Sequence, residues 1–495
     1  MGKRLEVRSE EHPKIAEEVE GSLELSVKEG ALSSLSTGFG TSYLSPFAIA
    51  MNATASQIGI LHGMINLFPS IIQLRASSLI KKISAKKIVI WGVLFQVFLW
   101  FLVILLSFSH YLGLSYSIWI LIAIASLIYG IGAIIYPAWF LWMGFLVPPR
   151  IRGKYFSRRN FITGLFGIAS MFLSAIILDK ISELGFGKNN FLFYSMLGFA
   201  VIFFLAIFFR LWSLKIIQKT YSPKIKIEEK DYFSFRQFLK KAPSTPFGRF
   251  TIFRAFLSIA IGIATPFTSV YLLRNLGLSY SWFMAITVSA VFFQLIFLPL
   301  LGKVSDRFGN IALTRISVGL LFSVPALWAF SALIKNPVAV RWYLLFVPSI
   351  VSGFAWAGYN LATNNYVYDS VRSNKRGFGS NYMTLIVGVC MFLGSIMGSF
   401  LSKLPIIFMD PILLIFSVSA VARLFVLVFG IRFLTEVRPV QKFSARFLIK
   451  EFKPLHEIAR EISYMEQIMG IKHPPVKLKF KHQEQPHKDI SLPPS

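Results

Sequence analysis

Gly302-Lys-Val-Ser-Asp306-Arg307-Phe-Gly309-Asn310 is a short charged stretch with a glycine near either end, set between two long apolar runs at 281–301 and 311–333. Runs of roughly 20 apolar residues are long enough to cross the hydrocarbon core of a bilayer. An Asp-Arg pair is costly inside that core and tolerated at its boundary. Glycine supplies backbone conformations and close approaches that other residues refuse. The stretch therefore reads as a tight turn between two membrane spans, and the rest of the chain can be placed from it.

Outward from this turn the chemistry stays the same. The 495-residue chain is 55% hydrophobic and only 15% charged, with 50 Phe and 10 Trp, and its mean hydropathy is +0.62. Backbone groups in lipid must be hydrogen-bonded internally, so apolar runs of this length are helices. Twelve spans are predicted, at 31–50, 56–80, 88–108, 117–147, 160–178, 191–212, 251–273, 281–301, 311–333, 343–368, 379–401 and 411–433. The first is the most polar, carrying Ser33, Ser34, Ser36, Thr37, Thr41 and Ser42. The fold class expected is an all-α polytopic membrane protein.

The net charge of +28 would suit a nucleic-acid partner, but none is expected, because Lys and Arg sit mainly in short loops and tails, where positive charge sets membrane orientation. One set of loops holds Lys81, Lys82, Lys86 and Lys87, then Arg150, Arg152, Lys154, Arg158 and Arg159, then the 213–249 segment, Lys303 and Arg307, and Arg372, Lys375 and Arg376. The opposite loops hold only Lys180, Lys188, Arg274, Lys335, Arg341 and Lys403. The positive-inside rule puts the first set and both termini in the cytoplasm of a cell membrane. The sole cysteine, Cys390, lies in an apolar run, so no intramolecular disulfide forms. Residues 1–30 lack a basic segment followed by an apolar one, and no cleavable signal peptide is expected.

The chain divides into a tail at 1–30, six spans at 31–212, a basic linker at 213–250, six spans at 251–433 and a basic tail at 434–495. The linker suits the anionic headgroups of a membrane surface, although a plain tether accounts for the same residues. The stretch 443–470 has the spacing of an amphipathic helix, and the end beyond it has a disordered composition.

The two halves repeat. Arg152-Gly153 follows span four and Arg376-Gly377 follows span ten, an offset of 224 (376 − 152). A shift of 225 puts Asp306 on Lys81 (306 − 81), so Ser77–Ala85 is the twin of the opening turn, with a lysine in place of the acid and serines in place of the glycines. Ser45-Pro46-Phe47 has an echo in Thr265-Pro266-Phe267. Parallel repeats about an axis along the membrane normal are a known transporter plan.

Gly302-Lys-Val-Ser-Asp306-Arg307-Phe-Gly309, with twelve spans in a six-plus-six layout around a basic central loop, resembles the major facilitator superfamily. The likeness covers spans one to twelve and neither tail. Pro148-Pro-Arg-Ile-Arg152-Gly153-Lys-Tyr-Phe-Ser-Arg158-Arg159-Asn160 is also similar to the turn before span five in prokaryotic members. The resemblance implies two six-helix bundles rocking about a central cavity, acting as a secondary transporter of a small solute, without catalytic residues, cofactor or metal, and as a monomer. It also implies a latch made by Gly302, Asp306, Arg307 and Gly309 against Arg158 and Arg159, which would hold the cytoplasmic side closed. Lys81 makes that latch one-sided.

The resemblance further implies that spans one, four, seven and ten line the cavity. Span ten carries Ser349, Ser352, Gly353, Trp356, Asn360, Thr363 and Asn364 at spacings of three and four, one helical face. Small residues on such faces also serve close helix packing. The candidates for solute contact are Thr41 in span one, His62 and Asn66 in span two, Tyr136 and Trp139 in span four, Thr265 in span seven, Gln294 in span eight, and Trp356, Asn360 and Asn364 in span ten. Arg423 lies well inside span twelve, and an intramembrane arginine is a functional hypothesis by default. Span twelve is peripheral in the family, which favours snorkelling of Arg423 or its pairing with Asp369 or with a helix end. No Asp or Glu falls in the middle of a predicted span, so the expected solute is neutral, amphipathic or anionic, and coupling does not use a mid-membrane carboxylate. A membrane-embedded lipid-modifying enzyme or a transporter-like sensor are the competing readings.

Replacing Asp306 by Asn should shift the balance of conformations toward opening on the basic side, while Lys81→Asn should matter little. Distances between spin labels on the two halves would record this, and equal effects from the two changes would overturn the assignment of both turns.

Overall fold

The computed structural model describes residues 13–441 apart from 114–115, 149–150, 186–189, 224–233, 373–374 and 406–408. The expected helix at 443–470 and the central part of the linker lie outside the described residues. Those described residues form helices and turns and no strand.

Eleven helices are long and apolar enough to cross a membrane. They belong to α2 (Ala55–Lys82), α3 (Ala85–Tyr111), α4 (Ser117–Leu146), α5 (Arg152–Gly185), α6 (Phe191–Lys219), α7 (Pro246–Ala264), α8 (Tyr280–Phe308), α9 (Asn310–Leu321), α10 (Pro337–Ser370), α11 (Arg376–Leu401) and α12 (Pro411–Phe425). The helices α7, α9 and α12 continue past these bounds through short breaks to Asn275, Leu333 and Phe433. The twelfth element, α1 (Pro13–Phe39), is polar along one side and breaks at Gly40 before resuming over Leu44–Ala50. A side chain at Gly40 would strike the ring of Trp100.

Here the structure differs from the sequence-based boundary at residue 31. The helix begins at Pro13, and much of the expected tail is part of the first bundle. Glu29 is only 6% exposed. Its carboxylate meets Arg159 of α5 at 3.3 Å and accepts from Ser213 Oγ of α6 at 3.1 Å. The Arg159 guanidinium also donates to the Ser26 carbonyl at 3.2 Å and lies 4.1 Å over the Trp139 ring. Beside it Arg210 of α6 donates to Ser33 Oγ at 2.6 Å and to Gln96 Oε1 at 2.9 Å. Ser33 and Ser36, part of the polarity that marks α1, thus meet partners on α6, with Ser36 Oγ donating to the Ala206 carbonyl at 2.8 Å.

The opening stretch is also reshaped. Residues 302–308 are the last turns of α8, and α9 starts at Asn310, so Gly309 alone makes the corner. Gly309 has φ +86, and a Cβ there would collide with Glu436, whereas at Gly302 a Cβ would meet nothing within 4 Å. Glu436 Oε2 accepts from the Ile311 amide at 2.9 Å, capping α9. Arg438 pairs with Asp369 at 3.1 Å, and Asn310 donates to the same carboxylate at 2.7 Å. The chain leaving α12 therefore straps the corner to the end of α10.

The repeat is structural. Arg152 Nη2 donates to the carbonyls of Gly144 at 3.0 Å and Val147 at 3.4 Å, closing the end of α4. Arg376 Nη2 does the same to Tyr368 at 3.1 Å and Val371 at 3.4 Å, closing α10. Each pair of positions differs by 224 (376 − 152, 368 − 144, 371 − 147). An arginine at a helix C-terminus satisfies orphan carbonyls and complements the dipole. Trp142 Nε1 donates to the Tyr221 carbonyl at 2.9 Å, and its counterpart Tyr366 donates to Thr435 at 2.8 Å, tying back the chain that leaves each half.

The halves share one core at the face opposite the basic turns, where Tyr43, Phe47 and Met51 pack in the same cluster as Phe267, Tyr271 and Phe283. Toward the basic face their cores separate, one around Trp142 and others around Phe250 and Leu301. The contact between α2 and α11 is a seam of small residues, Gly59 against Ser399, Gly63 against Phe392 and Gly388 against Ser70, where any added Cβ would collide. Within the linker, the helix Phe235–Lys241 buries Phe238 against Phe247 and Tyr382, with Leu74 of α2 beside them.

Glu29→Gln should destabilise the fold by about 3 kcal/mol, since it leaves a buried guanidinium without its carboxylate. Glu29→Gln combined with Arg159→Met should recover most of that loss. Thermal melting of the purified variants checks this, and a double variant no better than the single would refute the pairing.

Candidate functional site

The halves enclose a cavity of about 390 Å³, within the range of small-molecule sites. Its walls come from the break after α1 (Thr41, Ser42, Ser45), from α2 (Leu61, His62), from α4 (Tyr129), from α7 and its continuation (Thr265, Thr268, Ser269), from α8 (Phe283, Thr287), from α9 and its continuation (Pro325, Trp328), from α10 (Ser349, Ser352, Trp356) and from α12 (Phe416, Arg423). A second cavity of about 480 Å³ adjoins it, sharing His62, Ile65, Tyr129 and Thr265, and runs between α2 and α11 past Asn66 and Gln73. Gln73 Nε2 donates to Asn381 Oδ1 across that seam at 3.1 Å.

Prolines in the wall helices free backbone carbonyls, and two of the side chains that satisfy them, Ser349 and Arg423, line the central cavity. A proline has no N–H, so the carbonyl four residues before it loses its helical partner. In lipid that carbonyl must find another donor. Pro348 frees Leu344, whose carbonyl accepts from Ser349 Oγ at 3.0 Å. Pro266 frees Gly262, whose carbonyl accepts from Ser395 Oγ of α11 at 3.4 Å. Pro325 frees Leu321, whose carbonyl accepts from Arg423 Nη1 of α12 at 2.9 Å.

Of the sequence-predicted candidates, Thr41, His62, Thr265 and Trp356 line the central cavity, and Asn66 lines the adjoining one, donating to the His62 carbonyl at 2.7 Å. Asn360 and Asn364 follow Trp356 along α10 toward the basic face and are exposed, outside both cavity walls. Tyr136 is 65% exposed and stacks on Trp139 and Phe140. Trp139 lies under Arg159, inside the first bundle. Gln294 sits where α8 packs against Gly353 of α10, not in the cavity.

Arg423, expected at the periphery, is in the wall. Of its two expected partners, Asp369 is taken by Arg438 and Asn310, while the helix end is met, since Arg423 Nη1 donates to the Leu321 carbonyl that closes α9. Sequence reasoning also passed over Thr268, Thr287 and Trp328. The hydroxyls resemble ordinary intrahelical residues, since Thr268 and Thr287 both bond to carbonyls one turn back, and Trp328 is one of many aromatics in an apolar run.

The cavity is sealed at the face opposite the basic turns. Asp179, near the end of α5, accepts from the amides of Tyr280 at 2.8 Å and Ser281 at 2.9 Å and from Ser281 Oγ at 2.5 Å. It therefore caps α8 of the other half, a charge-assisted bond to a helix N-terminus. Arg274 donates to the Ala53 carbonyl at 2.7 Å, and Ser399 Oγ to Ser56 at 3.0 Å, both across the halves. At the basic face, Asp306 and Arg158 are both exposed, and Arg159 is held by Glu29. No described bond joins Asp306 to either arginine.

The profile of the Major Facilitator Superfamily matches residues 30–398. No match is found among curated proteins. Among solved structures, a variant of the nucleoside transporter NupG superposes with a TM-score of 0.63 at 15% identity, covering 83% of this chain and 100% of its own. A bacterial homologue of the iron transporter ferroportin in its inward-facing state gives 0.60 at 16% identity, over 84% and 99%. An auto-inhibited POT family peptide transporter gives 0.60 at 12% identity, over 86% and 98%. At these identities the likeness is one of fold.

Asp179→Ala removes an interaction of roughly 1–2 kcal/mol from the seal. The population open at that face should rise about tenfold, read as a longer distance between spin labels near Asp179 and Ser281. An unchanged distance distribution would show that the shared core alone holds the seal.

Proposed function

The chain belongs to the major facilitator superfamily, and from that premise we propose that this secondary transporter carries its solute in the cavity between its two six-helix halves, by alternating access. One observation carries the reading. The cavity lies on the interface between the halves, which are joined by a common core and three sets of cross-bonds at one face, while toward the other their main cores are separate and the described contacts include Leu74 beside the linker helix and the Gln73–Asn381 bond. Such an arrangement is one end state of a rocking motion about a central site.

The basic face is assigned to the cytoplasm by its excess of Lys and Arg, so this state is open inward and both termini are cytoplasmic. Closure would carry the end of α8 toward the start of α5. There Asp306 meets the exposed Arg158, with Arg159 remaining on Glu29 unless it exchanges partners. The Asp306 latch then replaces the Asp179 cap, one carboxylate at each face serving one of the two states. The solute contacts proposed are Thr41, His62, Thr265 and Trp356, with Asn66 in the adjoining space and Asn360, Asn364 and Tyr136 along the route to the basic face. Linker lysines resting on anionic headgroups would hold the two halves at a common depth.

Thr265→Trp fills the cavity where its two parts meet. A metabolite screen by thermal melting of the purified protein, followed by uptake of each stabilising compound into proteoliposomes, tests the reading. The expected result is at least one compound that both stabilises and accumulates, with both effects lost in Thr265→Trp. Stabilisation without movement of solute would favour a sensor over a carrier.

A further inference from the structure

We infer that the solute is an organic anion whose carboxylate is held by Arg423. This rests on the carrier reading above and specifies its substrate class. Arg423 is 5% exposed, lies within the membrane part of α12 and forms part of the cavity wall. Its Nη1 donates to the Leu321 carbonyl, and its Nε has no partner. No carboxylate among the described residues pairs with it. In its own half, Asp369 is bound to Arg438 and Asn310, Glu436 caps α9, and Asp410 is bound to the Ile412 amide and Asn275. Asp306 is exposed at the end of α8.

Capping the carbonyl freed by Pro325 does not explain an arginine. The equivalent tasks at Pro348 and Pro266 are done by Ser349 and Ser395, at no cost in buried charge. A guanidinium in low dielectric without a counter-charge is expensive, and it is retained where it serves a ligand or a pathway. Its planar fork matches the two oxygens of a carboxylate. The rest of the wall defines the body of the ligand. Phe283, Trp328 and Phe416 offer apolar faces, and nine Ser and Thr residues line the rest of the wall together with Tyr129 and His62. With Arg423 the one Arg or Lys among the lining residues, that surface fits a compact acid with a single carboxylate rather than a polyphosphate.

The test uses the full chain in detergent, with benzoate and other aryl and alkyl carboxylates each set against its uncharged amide. Thermal melting is followed as a function of ligand concentration. Two variants accompany the natural protein. Arg423→Lys keeps the charge and loses the fork. Pro325→Ala with Arg423→Gln returns an amide to the Leu321 carbonyl, so the helix stays satisfied while the charge is gone. Carboxylates should raise the melting temperature and amides should not. The apparent affinity should fall at least tenfold in Arg423→Lys, and the response should vanish in the double variant while its ligand-free melting temperature stays within a few degrees. Equal stabilisation by amides, a carboxylate response surviving in the double variant, or no response to any carboxylate would each overturn the assignment. Spin-label distances between the halves, measured on the same samples, keep the two ideas apart. Halves locked in one state with carboxylate bound at Arg423 would sink the carrier reading and leave the anion site standing.

Discussion

Backbone polar groups inside a membrane have no water to turn to, and this demand organises the structure. A continuous helix meets it internally. A cavity that admits a solute needs interruptions, and each interruption frees a carbonyl. Here the freed carbonyls of Gly262, Leu321 and Leu344 are each met by a side chain, two serines and one arginine. Pro348 stands inside an unbroken α10, whereas Pro266 and Pro325 stand at or just after breaks, and a donor stands opposite each gap. The break at Gly40 works on a different principle, close packing against Trp100.

Charge obeys the same economy. Within the first bundle, Glu29 and Arg159 neutralise one another, with Ser213 and the Trp139 ring completing the shell. At the basic end of the second bundle, Asp369 and Arg438 do so around the corner at Gly309. Both clusters are structural, and both tie an end of the chain to its bundle. Arg423 is a further buried cation, with the Leu321 carbonyl as a partner and no carboxylate paired with it among the described residues.

The two halves use one design unequally. Arg152 and Arg376 close equivalent helix ends on equivalent carbonyls, and Trp142 and Tyr366 anchor equivalent exits. The central cavity is nonetheless lined mostly by the second half. The seal between the halves is asymmetric too, because Asp179 of the first half caps α8 of the second. Symmetry relates the two bodies, and the departures from it fall at the central cavity and at the Asp179 seal.

Span number, most span positions and the repeat were legible in the sequence, because hydropathy, charge bias and helical period are local properties of the chain. Thr265 and Trp356 could be picked out for the same reason, being polar or bulky residues on a helical face otherwise made of small ones. The start of α1 was not legible, since Ser22, Ser26 and Glu29 look like a solvated tail until Arg159 and Tyr221, more than a hundred residues away, are brought to them. Nor was the position of Arg423, whose carbonyl partner lies 102 residues back in the chain. Sequence alone determined which segments enter the membrane, because that depends on transfer of each segment from water to lipid. Tertiary structure decided which polar groups meet there, because in a medium without water every buried charge and freed carbonyl must be satisfied by whatever the fold places beside it.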